Sequence, residues 1–471
     1  MHDEWLVWLP GAGLSRLAGP LSYRGSARGA RGGPRWRGLL LPLVGVAVGL
    51  AVAFEVLVGM RGPVTVGASV EATRAPDLDT LVQRTPTTAG PVATAAPQSA
   101  APPVLLTPTF TAPDEDPRVV EALGALTSDA DLVGQLLLVG WLGNTAEQAR
   151  ATIRELKPAG LVYVDNTRSS AQAGAINSAV PTIAQQYGDL PLFVAIDHEG
   201  GIVQRITDVT NYGSNASFAA NGASETDACL RGQNHAQQLY SLGFNMNLAP
   251  VLDVNNNPNN PVIGTRSYGA DPELVARLGS AYIRGLQGGG IIAVGKHFPG
   301  HGNTGVDSHL QLPILQHSIE DLEKIELVPF RRAIAPETDV AAIMSAHIVF
   351  PAVDPSGAPA TLSYPIMTGI LRNRLGFDGL VLTDDLVGMK AITDNYSAGD
   401  AAVQSIGAGV DLLIMAGGLP RQIAARDALL AALASGDLSR DRVQEAVHHV
   451  LRVKARFGLL GGSGPAAEVC P

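Results

Sequence analysis

Nineteen residues, Gly295 to Pro313 (GKHFPGHGNTGVDSHLQLP), set His297, His301 and His309 beside Lys296, Asp307 and four glycines. Two chemistries need that mixture. His297, His301, Asp307 and His309, with His347 further along, could hold a divalent metal ion. Alternatively one histidine carries a proton. Asp307-Ser308-His309 puts a carboxylate two residues from an imidazole, near enough in a turned loop to fix the tautomer of His309 and stabilise its protonated form. Histidine titrates near neutrality, so it can donate in one step and accept in the next. The glycines at 300, 302 and 305 read as a hinge for such a loop. The metal reading fits less well. The residues after the first apolar run, WLGNTAEQ, contain no His-x-His pair, and Lys296, Arg205 and Arg266 would face a second cation at a Coulombic cost.

The other polar clusters favour sugar chemistry. Asp197, Arg205, Arg266, Lys296 and His297 form a set of donors and acceptors suited to a polyhydroxylated ligand. Glycoside cleavage with retention needs a carboxylate nucleophile on one face of the ring and a proton carrier beside the leaving oxygen. Asp384, in VLTDDLVGM, has the strand-end placement that a nucleophile requires. Its neighbour Asp385 is expected to point the other way, since side chains alternate along a strand, and to cap the next helix.

Something must bring these residues together. From Asp116 onward, apolar runs of four to seven residues alternate with helical stretches, the pattern of a parallel sheet with crossover helices. Eight runs are legible: 136–140, 161–164, 192–197, 245–250, 291–296, 341–347, 380–384 and 412–416. Helices are expected over 272–285, 398–407 and 421–434, with a closing helix over 440–457. Eight strands in that order imply a (β/α)8 barrel rather than a doubly wound open sheet, because no Gly-rich phosphate turn follows the first run. In a barrel the catalytic residues sit at the C-terminal ends of the strands. Asp197, Asp253 with Arg266, Lys296-His297, His347 and Asp384-Asp385 all follow their runs at that end.

Composition bounds the setting. The chain has 471 residues, 46% of them hydrophobic, enough for a large core. Residues 1–61 hold seven Arg against three acids, so the remainder carries 26 basic and 40 acidic residues, a balance that disfavours nucleic acid and anionic lipid. Residues 1–38 read as a basic cytoplasmic segment and 39–60 as a membrane anchor, or alternatively as a signal cleaved near Ala51-Val52-Ala53. Either way the body is exported. No Cys stands directly after the run, so a lipid-modified N-terminus is not expected. Residues 61–115, rich in Pro, Thr and Ala, read as a tether; 116–461 is the barrel domain and 462–471 a flexible tail. Cys229 and Cys470, 241 positions apart, read as two inert thiols.

KHFPGHG followed by DSHLQLP, with IDHEGGIVQR, GTRSYGADPELV and VLTDDLVGM, resembles the family 3 glycoside hydrolases of the β-N-acetylhexosaminidase branch. The likeness runs over about residues 117–460 in order. It implies a retaining double displacement with Asp384 as nucleophile, His309 as general acid/base and Asp307 as its partner. Asp197, Arg205, Arg266, Lys296 and His297 match positions that hold the terminal sugar. The resemblance implies no metal or organic cofactor. It also implies a carbohydrate partner derived from peptidoglycan, and a monomer is expected. Two departures stand out: His198 occupies a position more often Gln, and the exported N-terminus differs from that of cytoplasmic recycling enzymes. The β-glucosidases of the family recruit a Glu from a second domain, for which the residues after the closing helix leave no room. The competing readings are a wall-binding protein without activity, a β-glucosidase and a metal-dependent barrel hydrolase.

Overall fold

The computed structural model describes residues 115–465 and Cys470. The expected basic segment, the apolar run 39–60 and most of the tether lie outside the described residues. Among those described, no helix is long and apolar enough to cross a membrane.

The strands in chain order are β1 (Leu137–Val139), β2 (Gly160–Tyr163), β3 (Phe193–Ile196), β4 (His198–Gly200), β5 (Val203–Gln204), β6 (Met246–Asn247), β7 (Ile292–Phe298), β8 (Ala342–Ser345), β9 (Leu380–Leu382) and β10 (Leu413–Met415). Eight of them form one parallel sheet in the order β10-β1-β2-β3-β6-β7-β8-β9. A parallel bridge between Leu382 and Leu412 joins its two ends, so the sheet closes into a (β/α)8 barrel. All eight runs expected from sequence supply its strands. β4 and β5 form a separate antiparallel hairpin in the loop after β3.

Alternation along short strands builds two layers of core. Leu138, Val162, Phe193, Ala195, Met246, Ile292, Val294, Met344, Leu380, Leu382 and Ile414 fill the barrel interior. Their neighbours Leu137, Val139, Leu161, Tyr163, Val194, Ile196, Val381 and Leu413 face outward to the helices. Each strand is therefore apolar on both sides, which explains its continuous apolar run in the sequence. The closing helix Arg440–Arg456 adds Val450 and Val453, with Phe457 beyond it, to the interior cluster. Lys454 on the same helix is fully buried, its Nζ donating to Gln135 Oε1 at 2.9 Å and lying 5.1 Å from the Phe193 ring centroid.

Helix boundaries follow local chemistry. Ser224 and Asp227 form a capping box at the start of Glu225–Ser241, and Asp271 caps Pro272–Gly288 with a proline at its first position. These two helices pack closely. A Cβ at Gly285 would lie 1.9 Å from the Cys229 carbonyl oxygen, so only glycine fits there.

The two cysteines correct the sequence reading. Cys229 and Cys470 form a disulfide, with Cα atoms 5.7 Å apart. Their separation along the chain hid a spatial neighbourhood. Cys229 is buried on helix Glu225–Ser241, and Cys470 packs on the small cluster of Val254, Tyr268, Val275 and Leu278 that this helix shares with the next.

Candidate active site

A cavity of about 240 Å³ opens at the C-terminal end of the barrel. Val162, Leu248, Met344 and Ile414 contribute apolar lining from the barrel strands, and the interior core closes it below. Seven of the residues expected from sequence line it: Asp384, His309, Asp197, Arg205, Arg266, Lys296 and His297. Asp307, the eighth, sits against His309.

Asp384 follows β9 by two residues. Burial raises its pKa, but His297, His347 and His309, with the N–H of Asp385, outweigh that and hold the carboxyl below its usual range. Its Oδ1 accepts the Asp385 N–H at 2.8 Å, so an ionised oxygen is held in place at the cavity wall. Asp385 differs from expectation. Strand pairing ends at Leu382, so alternation no longer separates the two aspartates, and both line the cavity. Asp385 caps no helix: the next one, Lys390–Thr393, starts after Met389 without a side-chain cap. Its Oδ1 instead accepts the N–H groups of Val387 at 3.1 Å and Ala416 at 2.9 Å, pinning the loops after β9 and β10 to one another. Burial pushes its carboxyl up to about 6.

The loop from Pro299 to Pro313 carries the dyad. His309 Nδ1 lies 2.8 Å from Asp307 Oδ1, which also accepts the His309 backbone N–H at 2.8 Å. The imidazole is 59% exposed and lines the cavity. Carbonyls of Ser308 and His309 accept N–H groups of Ala391 and Lys390, which ties this loop to the segment after β9. His301 is tied into the loop. Its N–H donates to Asp253 at 2.6 Å, and its ring bridges Thr304 Oγ1 at 2.8 Å and Ser308 Oγ at 2.9 Å. Burial pushes its pKa down to about 4, so it is neutral there.

The glycines have a different reason from the hinge expected of all three. A Cβ at Gly302 would lie 1.8 Å from the Val254 carbonyl oxygen, and one at Gly300 (φ +145°) would lie 2.6 Å from Glu326 Cγ. Close packing requires both. Gly305 alone has open space around it.

Lys296 and His297 precede Phe298, the last residue of β7, and are joined by a cis peptide bond. Lys296 Nζ reaches Asp197 Oδ1 at 2.6 Å and Glu199 Oε1 at 2.7 Å. Burial favours the neutral amine, but Asp197 and Glu199 outweigh it and keep Lys296 protonated. Arg205 approaches Asp197 and Asp165, each at 3.5 Å. Arg266 lies on the short helical turn Gly264–Arg266 that follows β6.

Sequence reading gave no role to two buried carboxylates of this site, although it placed Asp253 at the catalytic end. Asp253 accepts His297 Nδ1 at 2.7 Å and the His297 N–H at 3.2 Å. Burial raises its pKa, and His297 and His301 bring it below the usual range. Glu199 takes Arg266 in a fork, at 2.9 Å to Nε and 2.7 Å to Nη2. Both follow strands at the catalytic end, which is the signal that could have found them. His198 is buried and its backbone is held by Asn247 on both sides, at 3.1 and 2.9 Å; its ring is not part of the cavity lining. His347 pairs with Thr361 Oγ1 at 2.8 Å. Among the described residues, no three or more His, Cys, Asp or Glu converge as a ligand set for a metal.

Residues 130–453 match the family model for the glycosyl hydrolase family 3 N terminal domain, and they include every residue of the cavity. The chain belongs to glycosyl hydrolase family 3. The chain is 39% identical over 270 residues to beta-hexosaminidase A of Pseudoalteromonas piscicida, covering 54% of the chain and 45% of that protein. It is 32% identical over 338 residues to beta-hexosaminidase LpqI of Mycobacterium tuberculosis, covering 70% of the chain and 84% of that protein. Among solved structures, the family 3 beta-N-acetylglucosaminidase of a Paenibacillus species superimposes with a TM-score of 0.68 at 44% identity, over 72% of this chain and 64% of that one. The chain thus spans less than two thirds of two of these relatives and most of the third.

Proposed function

We propose that the protein is a retaining exo-β-N-acetylglucosaminidase that removes terminal N-acetyl-β-glucosamine from peptidoglycan-derived fragments. One observation carries the reading: a buried aspartate held ionised, Asp384, shares a single cavity with the exposed imidazole of the Asp307–His309 pair. In the first step Asp384 attacks the anomeric carbon while His309 gives its proton to the glycosidic oxygen. Water then attacks the glycosyl-enzyme ester, and His309 takes the proton back. Asp307 orients the ring and stabilises the imidazolium that exists before the first step and forms again in the second. Movement about Gly305 serves to bring His309 onto the oxygen. Arg266, Lys296, His297, Asp197 and Arg205 hold the hydroxyls of the terminal sugar, and the closed floor of the cavity favours a chain end over an internal residue.

The choice of N-acetylglucosamine rests on the names of the relatives. Export rests on the apolar run 39–60 after its arginines, and the Cys229–Cys470 disulfide agrees with an oxidising compartment. The test compares aryl N-acetyl-β-glucosaminide with aryl β-glucoside. Preference for the former, and loss of several orders of magnitude in a folded Asp384→Asn variant, are expected. A preference for the glucoside overturns the sugar assignment, and near-normal turnover by Asp384→Asn overturns the nucleophile.

A further inference from the structure

Glu199 is set apart from the residues that line the cavity. It lies on β4, two residues beyond Asp197, and its side chain is only 2% exposed. It does not line the cavity itself. Its backbone is anchored, because the preceding His198 exchanges two hydrogen bonds with Asn247 on β6. From that fixed point its carboxylate grips two cations. Arg266 binds through both Nε and Nη2, and Lys296 Nζ approaches Oε1 at 2.7 Å. Lys296 continues to Asp197, and Asp197 to Arg205.

Two cations side by side at a cavity wall repel each other, and each is a long side chain with many rotamers. A carboxylate between them removes both problems. Burial opposes its ionisation, yet Arg266 and Lys296 hold the carboxyl well below its usual range. The result is one connected unit drawn from the loop after β3, the turn after β6 and the end of β7.

We propose that Glu199 is a positioning residue for the sugar site, fixing Arg266 and Lys296 as one rigid donor pair without touching substrate. The inference rests on the reading that this cavity holds the terminal sugar. Asp197, which neutralises Lys296 from the cavity side, cannot replace it, because no Asp197 oxygen takes part in the Arg266 fork.

The experiment is steady-state kinetics on aryl N-acetyl-β-glucosaminide with Glu199→Gln and Glu199→Asp in the full chain, with a thermal midpoint for each variant. Misplacement of donors by about 1 Å costs on the order of 100-fold in kcat/KM, and that loss is expected for Glu199→Gln, with KM taking the larger share. Glu199→Asp keeps the charge but shortens the reach, so it should recover part of the loss. A role in folding alone would lower the thermal midpoint and the active fraction, reducing kcat with KM unchanged, whereas misplaced donors raise KM. Kinetics within threefold of wild type in Glu199→Gln, or a fall confined to kcat, overturn the proposal. Should that variant not fold, Glu199→Asp decides: a wild-type KM overturns the proposal, and a raised KM upholds it. Wild-type enzyme that turns over only an aryl β-glucoside refutes the sugar assignment instead, and the same comparison is then made on that substrate.

Discussion

Replacing His309 by alanine separates proton transfer from every other role of its loop. The imidazole is 59% exposed and its ring pairs with Asp307 alone, so the substitution should change stability by no more than about 0.5 kcal/mol. The loop backbone survives it, because Asp307 still accepts backbone N–H groups at Leu310 and Gln311 through its carbonyl. What is lost on the proposed mechanism is the general acid, worth roughly 10²- to 10⁴-fold where the leaving oxygen must be protonated. An aryl glycoside with a strongly acidic phenol needs little protonation, so its first step should fall far less. The assay is a leaving-group series: log(kcat/KM) against aglycone pKa should be nearly flat in wild type and steep in His309→Ala. Asp307→Asn should lie between, since a hydrogen bond to a charged partner is worth about 1.5–3 kcal/mol, or roughly 10- to 100-fold. Equal losses along the whole series would refute the reasoning and reduce His309 to a binding or loop-shaping residue.

Three further outcomes concern stability. Burial pushes the amine of Lys454 down to about 7 from 10.5, so the folded state sheds a proton that the unfolded chain keeps, and stability at this site rises with pH between those values. Lys454→Met should therefore raise the thermal midpoint most at pH 6 to 7 and progressively less toward pH 10; a gain independent of pH argues against the charge as its cause. Asp411 is fully buried under Arg372, Arg442 Nη2 at 2.7 Å and His449 Nδ1 at 3.0 Å, so Asp411→Asn takes the carboxylate from the largely buried Arg372 guanidinium and should cost about 3–5 kcal/mol by denaturant titration. Cys470→Ser removes a link that closes a long loop and should cost roughly 2–4 kcal/mol while kcat/KM stays unchanged.

The barrel was legible because its strands are buried on both faces. Val381, turned to the helices, and Leu380 and Leu382, turned inward, are all apolar, so each strand announces itself as a run rather than as an alternation. Strand ends then located the polar clusters. What failed at the same ends was the local geometry. Asp385 was assigned a direction by strand alternation, but pairing stops at Leu382, and its carboxylate turned to the amides of Val387 and Ala416. Cys470 was beyond any periodicity, since the closing helix returns the tail to a helix that formed 241 positions earlier.

Glu199 and Asp253 show a further limit. In the sequence each is a carboxylate at a strand end, like Asp197 and Asp384, and nothing in spacing tells which of the four meets substrate. The structure separates them by burial and partners. Asp197 and Asp384 reach the cavity, whereas Glu199 closes on Arg266 and Lys296, and Asp253 on His297 and the N–H of His301. Asp253 also accounts for two histidines of the stretch 295–313. Asp253 holds both His297, which lines the cavity, and the start of the loop that carries His309. On the proposed mechanism the grip on the ring and the delivery of the proton share one buried anchor. A change at Asp253 should accordingly impair binding and acid catalysis together, where His309→Ala impairs the second alone.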